Sequence, residues 1–286
     1  MTNSIEIHGL CKQYDRFALK QIDLVLPGGS IMGLIGENGA GKTTTIKCIL
    51  NLIRRDSGEI ILLGRDNLRE ERAVKQEIGV VLDECYFHDA LRASDVHQIL
   101  APLYRDWDAG LYRHYLDKFQ LPQHQLIKEY SRGMKMKLSL AAALAHHPKL
   151  LILDEATAGL DPTARDEILD EFLGFVCDDE HSILISSHIT SDLEKIADYI
   201  TYLHQGQVVL SDAKDTILDH YGRVGCTAAQ LESIRPEHLL RIRRGQFGCE
   251  ALVADRAAFR RRYPDLPVDR LALEDIMLFI GKGEEV

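Results

Sequence analysis

No stretch of this chain approaches the ~18 consecutive apolar residues that a membrane-crossing helix needs. The longest, such as residues 138–145, are short. If the protein serves a membrane process, another chain must span the bilayer. The first 13 residues hold no apolar core segment, so no secretory signal is read there. The cysteines Cys11, Cys48, Cys85, Cys177, Cys226 and Cys249 include no C-x-x-C pair. That removes the sequence grounds for a zinc site or a redox dithiol and leaves free thiols in a reducing cytosol as the simplest account. Positive charge is in deficit: 34 Lys and Arg face 44 Asp and Glu, a formal net charge of -10. An acidic chain has no general electrostatic reason to bind nucleic acid or anionic lipid, so neither is expected as a partner. Two arginine clusters (Arg241, Arg243 and Arg244; Arg260, Arg261 and Arg262) read as solvated surface charge. There is no internal repeat, no low-complexity tract and no heptad run.

What is present is globular composition, with 45% hydrophobic and 27% charged residues in a chain of 286. That suffices for one large domain and a smaller one. Residues 5–7, 22–26, 30–35, 59–63 and 78–82 read as strands, the last buried on both faces. Residues 94–120 have helical periodicity broken near Pro102 and Asp106, and a further helix runs from Ser131 to about Ala145. His146 and His147 close that helix before Pro148 and are assigned no chemistry. Residues 150–153 are an apolar strand ending in Asp154-Glu155. Pro162 opens a helix at its first position. Residues 182–186 form the next strand, 189–197 a helix, and 199–210 a hairpin around Gln205-Gly206. Strands alternating with helices predict an α/β core with a mostly parallel sheet. Residues 211–286 carry their own strand and helix signals and are expected to form a small accessory region.

The decisive local pattern is Gly36-Glu37-Asn38-Gly39-Ala40-Gly41-Lys42-Thr43, a full match to G-x-x-x-x-G-K-[ST] between an apolar strand and a helix. Glycines let the backbone turn so that successive N–H groups face phosphate oxygens, and the helix adds its positive end. Lys42 is expected to reach the β- and γ-phosphates, Thr43 to ligate Mg²⁺, and Thr44 to donate a further hydrogen bond to phosphate. Asp154 stands at the carboxyl end of a buried strand, where ligands of open α/β sheets bind, and is the second candidate for Mg²⁺. Glu155 is placed to polarise an attacking water. His188 sits at a like strand end, positioned to hydrogen-bond a γ-phosphate. The cofactors expected are ATP and Mg²⁺.

Together these pieces resemble the ATP-binding subunit of ABC transporters, over residues 5–210. Tyr130-Ser131-Arg132-Gly133-Met134-Lys135-Met136-Lys137 is similar to the signature motif of that family, usually Leu-Ser-Gly-Gly-Gln, with Ser131 and Gly133 matching. Arg132 and Met134 mark a variant used by several exporter subfamilies. Ser131 is a good N-cap, and a free helix N-terminus attracts phosphate. The resemblance implies that this phosphate belongs to the opposite subunit, so that two chains, identical or related, sandwich two ATP head to tail. It implies a P-loop NTPase core, an antiparallel β subdomain, a helical signature subdomain over about residues 85–147, and a small α+β C-terminal region. It places Tyr14 against adenine, Asp161 in the loop 158–161 that crosses the dimer interface, and His188 as the switch histidine. Asp83 falls where the family usually has a Mg²⁺-contacting glutamine. Residues 85–88 and 91–96 fall where a transmembrane partner docks. Glu274-Asp275-Ile276-Met277-Leu278-Phe279 resembles the tail of bacterial ABC-2-type ATPases linked to antibiotic or acetoin-type transport.

The resemblance therefore implies an ATPase that drives a separate polytopic membrane chain, in an exporter, from the cytoplasmic face of the cell membrane. The alternatives are a non-transport ABC ATPase acting on nucleic acid or ribosomes, and a switch that holds ATP without turnover. The single cassette and missing heptads argue against the first, and Glu155 with His188 against the second.

Overall fold

The strands follow the side-chain period of their burial. In β1 (Asn3–Gln13), Ile5 and Ile7 are buried while Glu6 and His8 face out, and Gly9, at φ +59°, shifts the register before Leu10 turns inward. The computed structural model describes residues 2–245 and 248–284. They divide into two compact units, Met1–Ser211 and Asp212–Val286.

In chain order the first unit continues with β2 (Ala18–Pro27), β3 (Ile31–Ile35), α1 (Lys42–Ile49), β4 (Ser57–Leu62), β5 (Arg65–Asp66), α2 (Glu71–Glu77) and β6 (Ile78–Val81). Then come α3 (Ala93–Leu100), α4 (Ala109–Lys118), α5 (Arg132–Leu144), β7 (Leu150–Asp154), α6 (Pro162–Phe175), β8 (Ser182–Ser187), α7 (Thr190–Ile196), β9 (Tyr199–His204) and β10 (Gln207–Ala213). One sheet, in the order β2-β1-β4-β5, is antiparallel. The other has the order β10-β9-β3-β8-β7-β6, and its β9-β3-β8-β7-β6 pairs are parallel. Strands β3, β7 and β8 are buried at every residue, as central strands of a covered parallel sheet must be. The fold is α/β, with a P-loop NTPase core. Gln205 and Gly206 both take positive φ, 46° and 75°, the pattern of the two-residue turns that match strand twist.

Helix ends follow the chemistry of their caps. The Ser131 hydroxyl accepts from Met134 N at 3.2 Å to start α5, and Asp161 accepts from Ala164 N at 3.0 Å to start α6 with Pro162 at its first turn. The helical stretch expected over residues 94–120 is two helices: α3 stops at Leu100 ahead of Pro102, and Asp108 caps α4 by accepting from Gly110 N and Leu111 N.

Just beyond α5, His146 has a structural role. It is buried, its Nε2–H donates to Ile78 O at 3.0 Å, and its ring stacks on Tyr104 with centroids 4.0 Å apart. Burial pushes its pKa down, against the carbonyls of Ile78 and Ala142, which pull it up. A depressed histidine is neutral in the fold, so its contribution to stability is intact above the ordinary imidazole value and is lost as pH falls through the lower folded value. The thermal midpoint of the first unit is expected to fall by a few degrees, about 2–4 °C per kcal/mol, as the pH drops from ~7 to ~5. A His146→Gln variant followed by circular dichroism should show a flatter pH dependence. An equal slope in both proteins would assign the effect to other groups.

The second unit comprises α8 (Lys214–His220), β11 (Gly222–Cys226), α9 (Ala228–Ser233), β12 (Arg241–Gly245), β13 (Gly248–Val253), α10 (Arg256–Arg262), β14 (Val268–Asp269) and α11 (Leu273–Lys282). Its antiparallel sheet has the order β12-β13-β11-β14. The core contains Val224, Ile242, Ala251, Val253 and Phe259. Arg243 is spent on that fold, over the Phe279 ring at 5.5 Å.

Candidate functional site

The site begins where β3 runs out. The chain turns through residues 36–41 and enters α1 at Lys42. Gly39 and Gly41 adopt φ +83° and +115°, a region that side chains avoid. At Gly41 space forbids a side chain as well, since a Cβ there would lie 2.6 Å from Leu19 Cδ2. The loop closes over Lys42, whose buried Nζ donates to Gly36 O at 2.7 Å. Thr45 Oγ1 donates back to Gly41 O at 3.0 Å, which fixes the first turn of α1 and leaves Thr43 and Thr44 on the cleft wall.

The acidic half comes from β7, paired in parallel with β8 so that Asp154 stands opposite Ser186. Asp154 is 1% exposed. Its Oδ1 accepts from Ser186 Oγ at 2.5 Å, while Oδ2 has no hydrogen-bond partner among the described residues. Burial pushes its carboxyl above the ordinary aspartate value, opposed by the hydrogen bond from Ser186 and by the neighbouring Thr43 hydroxyl, with like charge from Asp83 and Glu155 adding to the rise. A buried carboxylate oxygen without a donor, next to a threonine hydroxyl at the mouth of a phosphate loop, is the oxygen-only chemistry that suits a hard divalent cation.

Glu155 turns sharply, at φ +52°, which costs a non-glycine residue roughly 1–2 kcal/mol. The turn delivers its carboxylate to the cleft. Oε1 lies 3.4 Å from Lys42 Nζ, and Oε2 accepts from His188 Nδ1–H at 2.5 Å. An ionised carboxylate only accepts, so Nδ1 carries the proton in this contact. Lys42, Glu155 and His188 thus form one continuous chain, from the buried lysine to a histidine whose side chain is 53% exposed.

These groups line a cleft of about 650 Å³, a volume in the range of small-molecule sites. A family model described as ABC transporter matches residues 19–158. A bacitracin transport ATP-binding protein of Enterococcus faecalis is 36% identical over 212 residues, which cover 72% of this chain and 68% of that one. The chain belongs to the ABC transporter family. A lantibiotic transport ATP-binding protein of Streptococcus pyogenes is 34% identical, over 74% of this chain and 91% of its own. A solved ATP-binding subunit of an ABC transporter superposes with a TM-score of 0.68 at 27% identity, covering 74% of this chain and 91% of that one. The protein is an ABC ATPase subunit: it binds ATP and hydrolyses it.

In this ABC ATPase the cleft gathers Asn38, Gly39, Gly41, Lys42, Thr43, Thr44, Asp83, Glu155 and His188 from the residues singled out in the sequence. Gly36 and Ala40 belong to the same loop, with Gly36 O accepting from Lys42 and Ala40 N–H donating to Glu37 O at 3.0 Å. Ser131, Gly133 and Asp161 do not line it. Their neighbours Arg132 and Ala158 do, and a Cβ on Gly159 would lie 2.9 Å from the Arg132 guanidinium. Tyr14 is 42% exposed beside Lys12 and is also off the wall. The aromatic residue on the wall is Phe17, with Arg16 next to it. Arg16, Phe17, Glu37, Arg132 and Ser186 are the residues that sequence reasoning missed. A buried serine directly after the apolar run Ile183–Ile185 was the signal for Ser186, but only the register of β7 against β8 shows what it meets.

Proposed function

We propose that the chain works as one of a head-to-tail pair, homomeric or with a related subunit, that sandwiches two ATP and drives a polytopic transmembrane subunit on a separate chain. Lys42 holds the β- and γ-phosphates with the backbone of residues 36–41. Thr43 and Asp154 hold Mg²⁺, with Asp83 on the same wall as a further oxygen donor. Bound there, Mg²⁺ would supply positive charge to the β- and γ-phosphate oxygens. Glu155 takes the proton of the attacking water, and His188 steadies the γ-phosphate. Phe17, in place of the exposed Tyr14, offers the aromatic wall for adenine.

One observation carries the paired arrangement. Ser131, the exposed cap of α5, and Gly133 in its first turn lie off the wall of their own cleft, which the helix reaches through Arg132, while the Lys42–Glu155–His188 chain on that wall is complete. A free helix N-terminus of this kind suits a phosphate brought by another subunit, with Gly133 leaving room and Asp161 near the seam.

The membrane partner is supported from two sides. No helix among the described residues is long and apolar enough to cross a membrane. Around residues 85–104, Tyr86, Ile99 and Leu103 are 68%, 47% and 62% exposed, beside a cavity of about 260 Å³ walled by Leu82, Phe87 and Leu100. An exporter working from the cytoplasmic face of the membrane fits the relatives named for bacitracin and lantibiotic transport, and α11 carries the matching tail sequence.

The test is to express the chain with its genomic neighbours, recover it from detergent-solubilised membranes, and identify what accompanies it. A polytopic partner that raises ATP turnover several-fold is the expected result. Recovery from the soluble fraction alone, with full activity, would favour a non-transport ATPase.

A further inference from the structure

Strand β8 carries a polar residue where an apolar one would complete the core. Ser186 is fully buried, and its hydroxyl has one proton and two partners. Asp154 can only accept, so the proton goes to its Oδ1, at 2.5 Å, a charge-assisted distance. The oxygen lone pair is then left for Glu155 N–H, which donates to it at 3.0 Å and to the Ser186 carbonyl at 3.1 Å. One side chain thereby ties the carboxylate of Asp154 to the backbone of Glu155, at the residue whose φ of +52° is least favoured for a side chain. Strained backbone of this kind persists only where its surroundings over-determine it.

We propose that Ser186 is a positioning residue for ATP hydrolysis: its hydroxyl fixes the turned conformation of Glu155 that points its carboxylate between Lys42 and His188, and at the same time orients Asp154. The proposal rests on the reading of Glu155 as the base for the attacking water. Ser186 is fully buried, does not line the cleft and acts through its two acidic neighbours. The phosphate loop does not depend on it, since Lys42 is held by Gly36 O and α1 starts on its own bonds.

Three variants test this: Ser186→Ala, Ser186→Thr and the double variant Ser186→Ala with Glu155→Gln. Phosphate release gives kcat, and titration with a fluorescent ATP analogue gives affinity. Ser186→Ala is expected to lower kcat by about 10- to 100-fold, the scale on which a small misplacement of a reacting group is felt, with affinity changed by less than about threefold. Ser186→Thr restores the hydroxyl and most of the rate. Because the route through Glu155 is already closed in the Glu155→Gln background, removing Ser186 there lowers the residual rate by less than it does in the wild type, leaving only the part carried by Asp154. Wild-type turnover in Ser186→Ala, or a full additional loss in the double variant, would overturn the proposal. Loss of affinity in parallel with kcat would also overturn it, as a general weakening of the site. If Glu155→Gln itself hydrolyses ATP at the wild-type rate, the reading of Glu155 fails and the proposal with it. If Glu155→Gln is inactive while Ser186→Ala is not, the proposal alone fails.

Discussion

Lys42→Ala is expected to lower ATP turnover by about 10²–10³-fold, the usual loss when a donor aimed at developing transition-state charge is removed from a preorganised site. The magnitude follows from how Lys42 is held. Its side chain is 6% exposed, and Nζ is anchored to Gly36 O and faces Glu155 Oε1 at 3.4 Å. No other Lys or Arg among the described residues shares that contact with Glu155, and the other cations on the cleft wall, Arg16 and Arg132, come from other segments. Truncation takes away the charge that faces the transferring phosphate and leaves a carboxylate in the same cleft to repel it. The check is steady-state phosphate release with ATP affinity measured in parallel. A fall of less than about threefold would remove Lys42 from the chemistry.

Glu155→Gln is expected to keep ATP bound, to lower its hydrolysis by about 10²–10⁴-fold, and to accumulate as a dimer. The amide occupies the same volume as the carboxylate, and its oxygen still accepts from His188 Nδ1–H, so the turn at residue 155 and the cleft wall stay as they are. What it loses is the capacity to take a proton from water. It also loses a negative charge within 3.4 Å of Lys42, which favours an anionic ligand in the cleft. In the proposed pair ATP holds the two subunits together, so a variant that binds without cleaving should stay paired. Size-exclusion chromatography with light scattering should give about twice the 32.3 kDa of the chain with ATP and a single chain without it. A variant that remains single at high protein and ATP would contradict the sandwich.

The parts of the site that are local in sequence were legible there. Residues 36–44 are contiguous, and their glycine spacing states a backbone shape that suits phosphate binding. Asp154 and Glu155 are adjacent at the end of an apolar run, so one strand assignment places both at the ligand side of the sheet. The break of the long helical stretch was visible near Pro102 and Asp106, while Asp108 as the residue that caps α4 shows only in the structure.

What was not legible depends on geometry between distant segments. Both Tyr14 and Phe17 are aromatic and lie in one turn, where Tyr14 N donates to Phe17 O at 2.8 Å. That turn sends Phe17 towards the phosphate loop, within 3.0 Å of where a Cβ on Gly41 would be, and leaves Tyr14 outside. Tyr14 alone was named from the sequence; that Phe17 is the aromatic residue on the cleft wall depends on how this turn folds. Ser186 was hidden for a related reason. A serine at that point of β8 gains its meaning from the parallel register that sets it opposite Asp154, and no single-strand pattern carries that register. Ser131 and Gly133 are a third case. Their cap geometry was predicted from residue type, and α5 has it, but in the proposed pair the phosphate they would serve is held by the other subunit.

The central claim is that ATP is cleaved in this cleft with Glu155 as the base. A single-turnover experiment addresses it most directly: γ-labelled ATP, enzyme in excess, and labelled phosphate counted over time in the wild type and in Glu155→Gln. The expected result is that the wild type converts its bound ATP to phosphate, while Glu155→Gln holds intact ATP over the same interval. Phosphate appearing at equal rates in the two proteins would contradict the account and send the search for the base elsewhere on the cleft wall.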